Sequence, residues 1–247
     1  MATPQKIRCL VDKITDHGDH VYTVDLKPER LAPRFKPGQF LHLTLDDYDP
    51  SGFWPESRVF SIASSPNQRN HIKISYSVRG RYTTHMENEL KEGRWVWVKL
   101  PYGDFVIKET SDVVLLAGGT GITAFIAFIE GLKTESHNDV FLFYGVRKQE
   151  LLLYRDLIDA KSWINSFLHV TYFIENGKSE KVKGAQCLQS CDLLSGCLSL
   201  ETIWECLNNH QKTTYYIAGP PNMIKCLTKD LLKKYIPPEM IKVDAWE

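Results

Sequence analysis

Between Val113 and Thr123 the chain reads Val-Val-Leu-Leu-Ala-Gly-Gly-Thr-Gly-Ile-Thr, a spacing suited to holding a phosphate. An apolar run ends in the glycines Gly118, Gly119 and Gly121. A helical pattern carrying Ala124, Phe125, Ala127, Phe128 and Ile129 follows. Glycine lets a backbone turn sharply and come close to a ligand. The helix that follows turns unpaired N–H groups and its positive dipole end toward whatever sits there, and a phosphate is the natural guest. Written Gly119-x-Gly121-x-x-Ala124, the stretch fits the Gly/Ala-ended dinucleotide fingerprint, in the strand-before, helix-after context that the fingerprint requires. The competing reading is a tight strand–helix turn that binds nothing. A P-loop is excluded because no Gly-Lys-Ser/Thr follows.

Other chemistries find little support. The six cysteines are Cys9, Cys187, Cys191, Cys197, Cys206 and Cys226. The spacing Cys187-x₃-Cys191-x₅-Cys197 matches neither the short paired spacings of zinc sites nor the C-x₄-C-x₂-C of plant-type iron–sulfur centres, so no metal is expected. Free thiols are the expectation. No Ser/His/Asp or paired-carboxylate constellation is evident.

The elements that must position these residues change character along the chain. With 247 residues there is length for two ordinary domains, each with a core. A hydrophobic content of 43% and a charged content of 24% are those of a soluble globular protein. Thirty basic and thirty acidic residues cancel, so no global field draws the chain to nucleic acid or to a membrane. The start Met1-Ala2-Thr3-Pro4-Gln5-Lys6 has no apolar leader and no run spans a bilayer, which makes a cytoplasmic location the expectation.

Residues 6–14, 21–27, 39–45, 59–63, 71–78 and 95–100 read as short β-rich strands between Pro, Gly, Asn and Asp, the pattern of a closed antiparallel barrel. Core packing accounts for Trp95 and Trp97, and one helix is expected from Thr83 to Leu90. After about Phe105, strands at 113–117, 140–144, 167–174, 215–218 and 242–245 alternate with helices at 123–133, 153–160, 200–209 and 222–235. Repeated βα units imply a doubly wound parallel sheet with helices on both faces. Residues 178–188 read as a mobile polar loop. The expected domains are 1–108, an antiparallel β-barrel, and 109–247, an α/β doubly wound sheet.

Four stretches in this order resemble the ferredoxin–NADP⁺ reductase superfamily, a flavin-holding barrel followed by a nicotinamide-holding sheet domain. Arg58-Val59-Phe60-Ser61 resembles the family's Arg-x-Tyr-Ser. The resemblance pairs Arg58 with the flavin pyrophosphate, lays Phe60 on one face of the isoalloxazine and puts Ser61 near its reactive N5. Phe in place of Tyr keeps the stacking and loses a hydroxyl contact. Gly80-Arg81-Tyr82-Thr83 is similar to the family's Gly-x-x-Ser/Thr at a helix start, with Gly80 admitting the phosphate and Thr83 capping the helix. Val59, Val78, Tyr82 and Thr84 complete the implied FAD-binding set. His85, on the same helix, reads as a surface or packing residue. Pro101-Tyr102-Gly103-Asp104-Phe105 resembles the Pro-x-Gly-x-Phe turn that closes the barrel, an architectural role.

The opening stretch resembles the family's Gly-Gly-Thr-Gly-Ile-Thr/Ala-Pro, with Ala124 for the usual Pro and Thr120 beside the nicotinamide. Ala218-Gly219-Pro220-Pro221-Asn222-Met223 is similar to Cys-Gly-Pro-Pro-x-Met. Many members carry a cysteine where this chain has Ala218, so no thiol is available there. Gly118, Gly119, Thr120, Gly121, Gly219, Pro220, Pro221 and Met223 form the implied nicotinamide-dinucleotide set. The second βα strand ends Tyr144-Gly145-Val146-Arg147-Lys148 with no carboxylate before Glu150, so Arg147 is the expected partner of a 2′-phosphate, or else a solvated loop charge. Against it, the third strand ends Phe173-Ile174-Glu175 without the Ser-Arg pair of many NADP-dependent relatives. Trp246 resembles the terminal aromatic that stacks on the flavin until the nicotinamide displaces it; packing of the chain end onto the sheet is the alternative.

The resemblance therefore implies an FAD-containing NAD(P)H oxidoreductase, with Ser61, Thr120 and Trp246 nearest the hydride transfer. Its electrons would pass to a small electron carrier such as ferredoxin or flavodoxin, or to an oxygenase component, and a monomer is expected. Free flavin and quinone are also compatible acceptors. An electron-transfer subunit of a larger complex and a dinucleotide-sensing domain are the alternatives from other classes.

Overall fold

Inward-facing apolar residues at every second position build the first half of the chain. The structure, a computed structural model, describes residues 3–49, 51–134, 138–176, 192–207 and 209–244. The chain divides into two units, Met1–Val106 with Ile126–Gly131, and Ile107–Phe125 with Leu132–Glu247.

In the first unit β1 (Gln5–Asp16), β2 (Val21–Pro28), β3 (Phe40–Thr44), β4 (Arg58–Ser61), β5 (Ile72–Ser77) and β6 (Trp95–Tyr102) form one antiparallel sheet in the order β4-β3-β6-β1-β2-β5. Ile7, Cys9 and Val11 of β1 alternate inward and are fully buried, the period that a pleated strand with one covered face requires. Just past β4, the Ala63 N–H donates to the Lys73 carbonyl at 2.8 Å, so the two free edges approach and the sheet nearly closes into a barrel. Gly38 (φ +92°) has no room for a side chain, since a Cβ there would stand 2.2 Å from the Phe105 carbonyl oxygen. The Pro101–Phe105 turn is thus packed backbone to backbone on the barrel wall, and the Gln39 amide donates to its Gly103 carbonyl at 3.0 Å.

One expectation for the barrel is overturned. Val96 and Val98 fill the core, 1% and 0% exposed, whereas Trp95 is 38% exposed. The half-buried Trp97 sets its ring against Tyr48 at 5.3 Å, and Trp95 lies under the Arg8 guanidinium at 4.6 Å. Both faces of Trp-Val-Trp-Val are apolar, so alternation alone leaves the inward face undecided. The interior takes the smaller side chains, and the indoles find a ring and a cation outside.

In the second unit β7 (Val113–Gly118), β8 (Val140–Val146), β9 (Leu168–Ile174), β10 (Asp192–Ser195), β11 (Thr214–Ala218) and β12 (Ile241–Asp244) form a parallel sheet in the order β10-β9-β8-β7-β11-β12. Its core on one face joins Val114, Leu116, Tyr215 and Ile217 to Leu200 and Ile203 of α4 (Leu200–Glu205) and to Leu227 and Leu231 of α5 (Pro221–Lys233). On the opposite face the Tyr144 and Tyr172 rings lie 6.2 Å apart, and the Tyr172 hydroxyl donates to Asp159 of α3 (Arg155–Ile164) at 2.6 Å. With helices on both faces, every residue of β7 is buried.

Several elements differ from the expectation. β10 was not foreseen, and α4 ends at Glu205 because the Cys206 N–H closes a tighter turn on the Ile203 carbonyl at 3.1 Å. The polar loop expected at 178–188 lies outside the described residues, as do Cys187 and Cys191. Among the described residues no helix is long and apolar enough to cross a membrane.

Candidate functional site

β4 pairs with β3 so that Arg58 stands opposite Leu43 and Ser61 opposite Phe40. A helix, α1 (Arg81–Glu89), is pinned to the same place, because the buried Tyr82 hydroxyl donates to the Leu43 carbonyl at 2.7 Å. One residue of β3 therefore registers both the start of β4 and the start of α1. The Arg58 guanidinium lies over the Tyr82 ring, 4.9 Å from its centroid. Strand alternation puts Phe60 on the same face as Arg58, and Val59 and Ser61 on the other. The half-buried Phe60 ring sits 6.1 Å from that of Tyr76. Val78, also half-buried, donates its N–H to the His20 carbonyl at 2.9 Å.

The helix expected from Thr83 starts at Arg81, with Gly80 as its cap residue. Thr83 is the third helical residue and caps from inside. Its hydroxyl accepts the Arg79 and Gly80 N–H groups at 2.9 and 3.1 Å. Thr84 is exposed, and its N–H donates to the Gly80 carbonyl at 2.9 Å. His85 is exposed, a surface residue. Gly80 itself has extended dihedrals (φ −163°, ψ 178°) that any residue adopts, and a Cβ there would meet nothing within 4 Å. Neither strain nor packing accounts for glycine at this position; an open approach to the helix start does.

Beside that opening two guanidinium groups converge on one carboxylate. Arg81 donates to both Glu56 oxygens at 3.0 Å, and Arg58 donates to one of them at 3.2 Å. The Arg81 hydrogen bonds, helped by the charges of Arg81 and Arg58, hold the Glu56 carboxyl below the ordinary carboxylate range. Two guanidinium groups able to donate to phosphate, an open glycine and a half-buried aromatic ring on the strand face of Arg58 together fit a phosphate-bearing flavin. Motif reading passed over Glu56 and Arg81. Arg81 did carry a signal: a cation in a first helical turn that holds no acidic residue is out of place unless an anion sits beside it.

The second unit builds a different cradle. From β7 the chain runs outward through β8, β9 and β10 and returns to β11, so the strand order reverses between the carboxyl ends of β7 and β11. Such a switch point opens a crevice for ligands in doubly wound sheets. Gly118, Gly119, Thr120 and Gly121 lie at one lip, leading into α2 (Thr123–Gly131), and Gly219, Pro220, Pro221 and Met223 lie at the other. The two loops are pressed together. A Cβ on Gly118 would stand 2.6 Å from the Met223 Sδ, and one on Gly121 would stand 2.3 Å from the Ala218 carbonyl oxygen. Gly219 (φ +149°) would bring a Cβ within 2.9 Å of the Gly118 backbone. Gly119 alone faces open space, at φ +53°.

Thr120, half-buried, gives its carbonyl to the Thr123 hydroxyl at 2.8 Å. Pro221 occupies the first position of α5, where its missing N–H costs nothing. Ala218 is buried at the end of β11. Arg147 is exposed just past β8, two residues beyond Gly145, which pairs with Gly118. Trp246 lies outside the described residues, past the end of β12.

Comparison with known proteins supports an oxidoreductase. Residues 115–229 match the oxidoreductase NAD-binding domain. In an alignment of 249 positions that covers 98% of this chain and 68% of the relative, it is 23% identical to the reductase component of propane 2-monooxygenase from Mycolicibacterium smegmatis. In an alignment of 224 positions that covers 84% of this chain and 70% of the relative, it is 28% identical to sulfhydrogenase 2 subunit gamma from Pyrococcus furiosus. Its fold matches a ferredoxin NADP⁺ reductase from Neisseria gonorrhoeae with bound FAD and NADP at a TM-score of 0.75 and 19% identity, covering 99% of each chain. Domain match and fold agree: residues 115–229 form an oxidoreductase NAD-binding domain, and the chain has the two-unit fold of ferredoxin NADP⁺ reductases.

Proposed function

We propose that this chain is an NAD(P)H-dependent flavoprotein reductase that binds FAD on its barrel and NAD(P)H on its parallel sheet. Its acceptor in this reading is a separate electron carrier such as ferredoxin or flavodoxin, or an oxygenase component. Bound flavin supplies the redox chemistry, accepting hydride from the nicotinamide and releasing electrons onward. The chain's own residues bind and orient. Arg58, steadied by the Tyr82 ring, takes a phosphate, and Gly80 leaves its approach open. Phe60 offers an aromatic face, and Ser61 a hydroxyl near the flavin's reactive nitrogen. Thr120 and the glycines around it admit the nicotinamide dinucleotide, with Arg147 toward a 2′-phosphate. Trp246 is the proposed lid.

The observation that carries this reading is two separate glycine-bordered helix starts in one chain, Gly80 beside Arg58 on the barrel and Gly118–Gly121 beside Gly219 at the switch point, each suited to a phosphate. The purified protein is expected to be yellow with FAD, to bleach on anaerobic mixing with NAD(P)H and to reduce ferricyanide. Arg58→Ala is expected to shed flavin on a desalting column. A colourless protein whose melting temperature does not respond to FAD overturns the assignment of the cofactor.

A second reading, an electron-transfer subunit of a larger enzyme, is favoured by the two relatives, one a reductase component and one a subunit. Gel filtration of the native complex separates it from a reductase that works alone.

A further inference from the structure

The ion pairs at Glu56 are not explained by folding. The three side chains are open to solvent, Arg58 at 49%, Glu56 at 46% and Arg81 at 84%. Pairs this exposed contribute little to stability. Their geometry is nevertheless that of a receptor. Arg81 turns one nitrogen, Nη2, to both carboxylate oxygens at 3.0 Å, and Arg58 Nη2 adds a third hydrogen bond at 3.2 Å from a position set by the buried Tyr82 ring. Guanidinium N–H groups recognise carboxylate and phosphate oxygens through the same charge-assisted hydrogen bonds. Charge is left over as well. Two cations stand at the positive end of α1, which has no acidic residue in its first turn, against the single negative charge of Glu56. A pyrophosphate brings two negative charges and more acceptor oxygens, so it answers that excess better than a carboxylate does.

We propose that Glu56 is an internal stand-in for the cofactor's phosphate, holding Arg58 and Arg81 as a preformed clamp until flavin phosphate takes its place. Arg81 is thereby a second phosphate ligand, and Glu56 sets how tightly the cofactor is held. The inference rests on the FAD reading above. It separates the two partners of one ion pair, because removing Arg81 removes a ligand while neutralising Glu56 removes a competitor.

The test uses the full chain stripped of flavin. It is titrated with FAD and with riboflavin by fluorescence quenching, and with ADP by calorimetry. Arg81→Ala is expected to weaken FAD and ADP about tenfold, the worth of a charge-assisted hydrogen-bonded pair. Arg81→Lys keeps the charge, loses the fork and is expected to fall between. Glu56→Gln is expected to tighten FAD several-fold, and this gain is expected to shrink when Arg81 is alanine. Riboflavin, which lacks phosphate, is expected to bind all variants alike. The proposal is overturned by an Arg81→Ala protein with unchanged FAD affinity, by a Glu56→Gln protein that binds FAD more weakly, or by riboflavin affinities that move with those of FAD. A wild-type chain that binds no FAD is a different result, and it overturns the flavoprotein reading along with this one.

Discussion

A methyl group added at Gly121 would stand 2.3 Å from the Ala218 carbonyl oxygen and 2.6 Å from the Gly219 nitrogen. Both are backbone atoms in a packed loop pair and cannot swing aside. Gly121→Ala is therefore expected to cost about 1–3 kcal/mol, the usual penalty of overpacking, and to lower the melting temperature without any ligand present. Gly80→Ala meets only open space, at dihedrals alanine accepts, so the flavin-free protein is expected to lose less than about 1 kcal/mol, the small deficit of alanine as a helix cap. Its FAD affinity is expected to fall all the same, because the methyl group fills the approach to the clamp. Equal losses of melting temperature in the two variants, with FAD affinity untouched in Gly80→Ala, would sink this division of roles. Both glycines were legible as motif members. What holds each was not, since Gly121 answers to Ala218 at the end of the neighbouring strand β11, about a hundred residues on in sequence, and Gly80 to no protein atom. Glu56 was illegible for a related reason: it belongs to no motif and meets Arg81 only once β3 has registered β4 and α1 together.

At the scale of elements, strand ends place Arg147 and strand pairing sets the response to acid. The Glu175 N–H donates to the Val146 carbonyl and the Asn176 N–H to the Arg147 carbonyl, each at 3.0 Å. The backbone of Arg147 is thus fixed beyond the carboxyl end of the sheet. If Arg147 meets a 2′-phosphate, Arg147→Ala should cut kcat/KM about tenfold with NADPH and little with NADH; equal loss with both cofactors would refute the role. Between β2 and β5, Asp25 accepts from His71 at 2.6 Å and pairs with Lys73 at 3.3 Å. Burial pushes the Asp25 carboxyl up, but the His71 hydrogen bond and the charges of Lys73 and His71 together outweigh it and hold the carboxyl below its ordinary value. As pH falls the unfolded chain takes the proton first, so stability from this carboxylate is present above about pH 4 and is lost as pH drops through the lower folded value. Melting temperatures of wild type and Asp25→Asn should differ at neutral pH and converge as pH falls through the lowered folded value. A gap that stays constant across that range would assign the effect to something other than ionisation. Element types were largely legible, because period two and βα alternation survive in the sequence. The start of α1 was misplaced because Thr83 looks like a cap residue, and β10 was missed because four residues after a polar stretch carry too little pattern.

For the molecule as a whole, the order of barrel then parallel sheet was legible in the change of rhythm along the chain, and each half has its own core. Each proposed phosphate cradle also lies within a single unit: Arg58, Phe60 and Gly80 in the first, Gly118–Gly121 and Gly219–Met223 in the second. A ligand that binds only the folded form adds about 2.7 kcal/mol at a hundredfold excess over its dissociation constant, and its protection is greatest where it touches. Hydrogen exchange should therefore resolve the two ligands. FAD is expected to slow exchange at residues 58–61 and 80–84, where the N–H groups at the start of α1 lie beside the guanidinium clamp. NADP⁺, added to the FAD-loaded protein, is expected to slow exchange at 118–121 and 219–223, where the two glycine loops meet at the switch point. Arg58→Ala should erase the first pattern in flavin-stripped protein titrated with FAD and leave the NADP⁺ pattern in place, because the two cradles share no residue. FAD protection that appeared at 118–121 and spared 58–61 would reverse the assignment of cofactor to unit, and the roles given to Arg58, Phe60 and Gly80 would fall with it.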